Sequence, residues 1–289
     1  LYAPHNHRRR FRACKVKLKL HSAQIGADDS GMPGARYTLG RISYVNSLPF
    51  FQADYPEFDS FSAVPAELNS RAARADVDAA MISRWVYEGE IEKHYKVLPR
   101  YGIFSDGEVM SVKIFSMVPF ESFPDASLYI TPESGTSARA FAHLFRLKYG
   151  SDILSMPSAP LDSADAALLI GDAALAFKPR EFCADLGEMW RAEIGLPMVY
   201  SVFVVRRSVY SEAAPLLEKN IKNALAAFRK NPGSVIGKAV GAMRTSCAGL
   251  DAPALKKYYR NLKYELPSGL FKKAFDYAAD LARSEIPTK

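Results

Sequence analysis

Asn46 stands in the segment Gly40-Arg41-Ile42-Ser43-Tyr44-Val45-Asn46-Ser47-Leu48-Pro49, just past a stretch of β-type residues and ahead of a proline. Asn and Pro build turns, so a purely local role is open. The other role is contact, since an amide at a strand end can donate and accept within one ligand contact. Further along, Thr131-Pro132-Glu133-Ser134-Gly135-Thr136-Ser137-Ala138 joins a predicted strand to a predicted helix. Gly135 permits close backbone approach, and the N–H groups of a helix N-terminus, with the Thr136 and Ser137 hydroxyls, suit a carboxylate or phosphate. A simple helix cap uses the same geometry, and both readings stand. Two more strand ends complete the set. Ser83-Arg84 offers a cation able to pair with a carboxylate. In Gly171-Asp172, the glycine can bring its backbone to a ligand while Asp172 reads as the cap of the short helix that follows.

Other chemistries lack their residues. The sequence holds no GxSxG, P-loop or GxGxxG motif, and His94 and His143 stand apart from Cys, Asp or Glu at metal-ligand spacing. The expectation is therefore no metal and no cofactor, leaving cofactor-free chemistry or simple binding. Cys14, Cys183 and Cys247 have neither pairing nor ligand spacing, which suits a reducing compartment with the thiols packed as small apolar side chains.

The elements that must position these residues alternate. Predicted strands fall at Thr38–Tyr44, Phe61–Val64, Val77–Ile82, Val112–Val118, Leu128–Thr131, Ala166–Ile170 and Val202–Arg206. Between them, Leu68 and Ala72 share one face of a helix over Pro65–Ala75, and Phe141, Leu144 and Phe145 share one over Ser137–Tyr149. The alternation predicts an α/β fold. The last 80 or so residues read as helical, with stripes at Leu217, Ile221, Ala224, Leu225 and Phe228 and at Leu270, Ala274, Phe275, Ala278 and Leu281. Two long apolar runs, Ser111–Val118 and Tyr200–Arg207, read as paired hinge crossings. That divides the chain into lobe 1 (37–113 plus 204–289) and lobe 2 (114–203), with strand ends and helix N-termini facing a cleft between them.

Composition narrows the class of partner. At 289 residues and 48% hydrophobic, the chain can bury two modest cores. Its formal charge of +7 lies almost wholly in residues 1–36, where Arg8, Arg9, Arg10, Arg12, Lys15, Lys17, Lys19 and Arg36 face Asp28 and Asp29. The body is close to neutral, so neither a nucleic-acid surface nor a membrane surface is expected. The extension reads as flexible or non-native, with Met32-Pro33-Gly34 a plausible start. It has basic residues but no apolar core of a secretory signal, and no span of the chain is apolar enough to cross a bilayer, so the expected location is the cytoplasm.

Six segments, in order, resemble one family: Arg41-Ile42-Ser43-Tyr44-Val45-Asn46-Ser47-Leu48-Pro49, Ser105-Asp106-Gly107, Glu133-Ser134-Gly135-Thr136-Ser137, Leu168-Leu169-Ile170-Gly171-Asp172, Asp185-Leu186-Gly187-Glu188-Met189-Trp190 and Gly195-Leu196-Pro197-Met198-Val199. The chain resembles the chorismate dehydratases of the futalosine route to menaquinone. The resemblance implies a two-lobed, type II periplasmic-binding-protein-like fold with a two-strand hinge, and a cofactor-free lyase acting on chorismate. It implies that the family's key asparagine is Asn46, that the anion loop is Ser134, Gly135, Thr136 and Ser137, and that a serine-rich strand end falls at Ser83. Here the sequence departs from the pattern, with Arg84 for a second serine and Val86 for a glutamate. The sister family of 1,4-dihydroxy-6-naphthoate synthases shares the fold and is less similar around Asn46. A solute-binding protein of a transporter is the alternative on the same fold.

Overall fold

The computed structural model describes residues 36–246 and 251–284. The extension expected over 1–36 thus lies outside the described residues except for Arg36, and so do Cys14 and Cys247. Strands β1 (Tyr37–Ile42), β2 (Phe58–Ala63), β3 (Ala79–Ser83) and β4 (Tyr95–Ser105) come first, with α1 (Pro65–Ala73) and a short α2 (Glu92–His94) among them. Next come β5 (Val112–Ser116), β6 (Leu128–Ile130), α3 (Gly135–Tyr149), β7 (Ala166–Ile170), α4 (Gly171–Ala176), β8 (Phe182–Asp185) and α5 (Leu186–Ile194). The chain then runs through β9 (Met198–Arg206), α6 (Tyr210–Lys230), α7 (Pro232–Ser246), α8 (Ala252–Asn261), β10 (Leu262–Glu265) and α9 (Ser268–Ser284).

Two sheets result. One has six strands in the order β10-β4-β9-β3-β1-β2, and the other has four in the order β6-β7-β5-β8. In the larger sheet β1 runs parallel to β2 and β3, whereas β9 lies antiparallel between β3 and β4. The alternation of side chains along a strand explains its double burial. Met81, Phe203 and Val205 enter the main core on one face, while Ala80, Ile82, Val202 and Val204 enter a second cluster on the other. A sheet covered on both faces needs strands that are apolar throughout, and β9 is one.

The helices follow their stripes. Pro65 occupies the first turn of α1, where its missing N–H costs nothing, and Leu68 and Ala72 are fully buried. Phe141, Leu144 and Phe145 of α3 are likewise buried, as are Leu217, Ile221, Ala224 and Leu225 of α6. Among the described residues no helix is long and apolar enough to cross a membrane.

The hinge expectation needs correction. β5 pairs with β7 and β8 from its first residues, and β9 pairs with β3 and β4 along its length. Residues 112–113, expected in lobe 1, therefore belong to the smaller sheet, and 198–203, expected in lobe 2, belong to the larger. The chain changes sheets just upstream of each strand, at 106–111 and around 195–197. An apolar run shows that a strand is buried, not which sheet holds it. The turn residues Asp106-Gly107 and Gly195-Leu196-Pro197 mark the crossings. Strands β4, β8 and β10 were not foreseen, and β10 interrupts the helical C-terminal segment.

Candidate active site

A cavity lies between the two sheets. From the larger sheet come Ile42, Tyr44, Asn46, Ser83, Ile103, Tyr200 and Ser201, and from the smaller side Val112, Glu133, Thr136, Ser137, Ile170 and Gly171, with Val109 and Ser111 of the crossing segment between. Asn46 is held there because the chain leaves β1 and turns at once into a 3-10 helix over Val45–Phe51. Ser47 fixes that turn by donating its hydroxyl to the Ile42 carbonyl at 2.6 Å. Glu133, Thr136 and Ser137 arrive from the turn between β6 and α3, braced where Thr131 Oγ1 donates to the Leu168 carbonyl at 2.9 Å.

The wall is polar, and several of its groups lack partners. Asn46 Oδ1, Glu133 Oε2, Thr136 Oγ1 and Ser201 Oγ are buried with no hydrogen bond, and so is Ser43 Oγ at the end of β1. Buried polar groups are nearly always paired in native structures, so such a group beside a cavity points to a ligand. None of the lining residues is Lys, Arg or His, and any negative charge on a ligand must be met by N–H and O–H dipoles. No side chain caps α3, which leaves the N–H groups of its first turn to such an anion. Ser83 is half satisfied: its Oγ accepts from Asn69 Nδ2 at 3.1 Å and can still donate.

Contacts across the cavity hold it narrow. Val45 N–H donates to Asp172 Oδ1 at 3.3 Å, joining the Asn46 turn to the start of α4. Gly171 has φ +58, and a Cβ there would come within 3.0 Å of the Tyr44 ring, so only glycine fits beneath it. Burial pushes the Asp172 carboxyl up to about 6, opposed by the Val45 N–H bond. Burial, then the nearby Glu133 and Asp172 carboxyls, raise the Tyr44 phenol, which is therefore neutral. The cavity is partly open and measures about 60 Å³, room for a handful of waters at roughly 10–15 Å³ each.

Asn46, Ser83, Thr136, Ser137 and Gly171 thus share one cavity, as lining residues. Ser134 and Gly135 do not line it. Ser134 is buried and its hydroxyl is committed to the Thr131 carbonyl at 2.5 Å, so it shapes the turn. Asp172 caps nothing, since Ile170 precedes the first turn of α4 and no side chain caps that helix; its carboxylate reaches the Val45 N–H instead. Arg84 is the largest correction. It points away from the cavity, wholly buried, paired with Glu88 at 2.6 Å, donating to the Phe275 carbonyl at 2.8 Å and stacked 3.7 Å from the Phe275 ring centroid. β3 ends at Ser83, and Arg84 opens a 3-10 turn over Arg84–Val86 that carries its side chain to Phe275 of α9. Cys183, expected to be buried, is exposed on β8, a sheet edge.

Glu133, Tyr44, Tyr200 and Ser201 were missed. Glu133 sits inside a segment already singled out, and a carboxylate two residues before a helix-opening glycine was the available signal. Tyr200 and Ser201 reach the cavity only through the pairing of β9 with β3 and β4, which local pattern does not reveal. Among the described residues no cluster of three or more His, Cys, Asp or Glu is placed to hold a metal ion.

Comparison with known proteins agrees with this architecture. Residues 37–277 match the family model described as menaquinone biosynthesis. A chorismate dehydratase from Thermus thermophilus is 28% identical over 276 residues, covering 85% of this chain and 96% of that protein. Among solved structures, protein AF1704 from Archaeoglobus fulgidus aligns with a TM-score of 0.67 at 18% identity, over 86% of this chain and 97% of that one. The periplasmic aliphatic sulphonate binding protein SsuA from Escherichia coli aligns with a TM-score of 0.60 at 12% identity, over 89% and 94%. At such identities the structures speak for the fold alone, which is periplasmic-binding-protein-like. With the family model spanning both sheets and the cavity between them, this chain belongs to the menaquinone biosynthesis family.

Proposed function

We propose that the chain is a lyase that dehydrates chorismate to 3-[(1-carboxyvinyl)oxy]benzoate. One observation carries the reading: a single cavity lined by Asn46 and by Thr136 and Ser137, with buried hydrogen-bonding atoms left unpaired and no cationic side chain in its wall. The relative from Thermus thermophilus, whose name is chorismate dehydratase, supports the choice of substrate.

Chorismate carries a ring carboxylate, a C4 hydroxyl and an enolpyruvyl ether at C3. Removing the C3 proton sends an electron pair through the ring double bond onto the ring carboxylate. The C4–O bond then breaks, the departing hydroxide takes a proton to give water, and the ring becomes aromatic. The hard step is the first, and what it requires is fixed donors for the growing charge. The uncapped first turn of α3 and the hydroxyls of Thr136 and Ser137 supply them, in a site where water is scarce and such dipoles act strongly. The substrate's own enolpyruvyl carboxylate takes the proton, held within reach by Asn46, so orientation carries much of the rate. Closure of the cleft excludes water and holds one substrate conformer.

The test is to mix the purified protein with chorismate, add no metal or nucleotide, and follow the products by mass spectrometry. Appearance of 3-[(1-carboxyvinyl)oxy]benzoate supports the proposal. Chorismate left intact, with thermal stabilisation and no product, would instead favour a solute-binding role, the reading suggested by the sulphonate-binding fold neighbour. Chorismate neither bound nor converted would favour the sister synthase of the same pathway.

A further inference from the structure

Among the residues that line the cavity, Glu133 alone carries a carboxylate. The turn that presents it is held firmly: the Ser134 N–H and hydroxyl both donate to the Thr131 carbonyl, at 2.9 and 2.5 Å, and Thr131 Oγ1 donates to the Leu168 carbonyl of β7. Glu133 Oε2 is buried, and among the described residues it has no hydrogen-bond partner. A carboxylate only accepts, so no rotation of this side chain can turn a donor toward a ligand. The other unpaired atoms around the cavity are different. The hydroxyls of Ser43, Thr136 and Ser201 can donate to an anion, and the Asn46 amide can present either its oxygen or its N–H groups. A wall made only to hold negative charge has no use for a carboxylate, because like charges repel and a buried acceptor left without a donor is costly. Its place in this wall calls for a ligand that brings an O–H or N–H group of its own.

We infer that Glu133 is a specificity-determining residue: its unpaired oxygen accepts the hydroxyl of the ligand, so the cavity takes a ring dicarboxylate bearing an O–H donor in preference to the same framework without one. The inference rests on the reading of the protein as a chorismate dehydratase and deepens it. With both carboxyls ionised, chorismate has one O–H group, at C4, and its remaining oxygens can only accept. The two sets then match, with the Thr136 and Ser137 hydroxyls and the first turn of α3 meeting carboxylate and Glu133 meeting the ring hydroxyl. Dehydration removes that hydroxyl. The product leaves Glu133 without its donor, beside a ligand of like charge, so the residue that favours substrate disfavours product. A site that hydrogen-bonds a hydroxyl rejects the analogue lacking it for the same reason, since its own buried group is left unpaired.

The experiment uses two unreactive ligands that differ by one group: 3-[(1-carboxyvinyl)oxy]benzoate and its 4-hydroxy derivative, whose phenol stands where chorismate carries its C4 hydroxyl. Isothermal titration calorimetry of the unsubstituted protein should give a dissociation constant lower by roughly 10–100-fold for the hydroxylated ligand, the worth of one hydrogen bond to a charged group. Glu133→Gln, shown folded by thermal melting, puts there an amide that can donate as well as accept. In that variant the preference should narrow to within about threefold, through tighter binding of the ligand without the hydroxyl. Equal affinities in the unsubstituted protein overturn the inference whatever the variant does, and so does a preference that Glu133→Gln leaves unchanged. Chorismate converted by a protein with no hydroxyl preference removes this role from Glu133 and leaves the reaction assignment standing. A preference that depends on Glu133, with chorismate left unconverted, supports the recognition and locates the failure in the reaction assignment. Neither ligand bound and no conversion overturns both.

Discussion

Asp172 joins the two sides of the cleft with a carboxylate that burial has pushed up to about 6. A carboxyl whose folded value exceeds its unfolded value binds more protons in the folded state. Its contribution is therefore most favourable below the unfolded value near 4 and is lost as pH rises from there through about 6. Asp172→Asn keeps an oxygen for the Val45 N–H and removes the charge. It should match the unsubstituted protein near pH 4 and be the more stable near pH 7, by up to about 3 kcal/mol for a shift of this size. Urea unfolding at the two pH values measures this, and an Asn variant that is weaker at pH 7 would contradict it. At the anion turn, Thr136→Val removes one unpaired hydroxyl while keeping the shape. Its kcat for chorismate should fall by an amount approaching 10²-fold, the lower range for a transition-state donor, and an unaltered kcat would remove Thr136 from that role. Asn46, Thr136 and Ser137 were legible in the sequence because strand ends and helix starts are where such folds present side chains. Arg84 was misjudged because the chain leaves β3 at Ser83 and turns into a 3-10 helix that sends Arg84 to α9, and the bond from Tyr259 to the Val45 carbonyl was invisible because only tertiary packing brings α8 there.

The segment Asp185-Leu186-Gly187 matters as structure. Asp185 caps α5 and accepts from the N–H groups of Val109, Met110 and Gly187 at 2.8–2.9 Å, and so ties the first sheet crossing to the start of α5, the helix that leads to the second. A Cβ on Gly187 would collide with the Gly107 carbonyl oxygen and sit 2.5 Å from Ser105 Oγ. Two of the segments that carry the resemblance, Asp185-Leu186-Gly187 and Ser105-Asp106-Gly107, thus pack backbone to backbone. Asp185→Ala strands several buried N–H groups and should cost about 2–4 kcal/mol; a loss under about 1 kcal/mol in urea unfolding would refute the account of the crossing. In the turns that follow β3, Arg84 pairs with Glu88 and donates to the Phe275 carbonyl of α9. Arg84→Met leaves Glu88 buried alone and should cost roughly 3–5 kcal/mol, much of it recovered when Glu88→Leu is added. A double variant no more stable than Arg84→Met would show that the pairing is not the cause. Element types were readable from periodicity where a stripe was long, as in α3 and α6. β4 and β10 escaped because Lys96, Arg100 and Lys263 break the apolar pattern of strands whose place is set by their neighbours.

At the scale of the molecule, the two sheets flank a partly open space of about 60 Å³, bridged at Val45–Asp172 and narrowed at Tyr44–Gly171. The division into lobes was foreseeable in outline from the alternation of strands and helices; the places where the chain crosses were not, since apolar strands look alike in either sheet. The central claim is that a held substrate, with its charge met by fixed dipoles, supplies its own base. The most direct measurement is single-turnover conversion of chorismate by Asn46→Ala beside the unsubstituted protein. The account predicts a first-order rate constant lower by about 10²-fold or more, with the half-saturating chorismate concentration within about threefold. Turnover at the native rate, or a defect confined to binding, would contradict it.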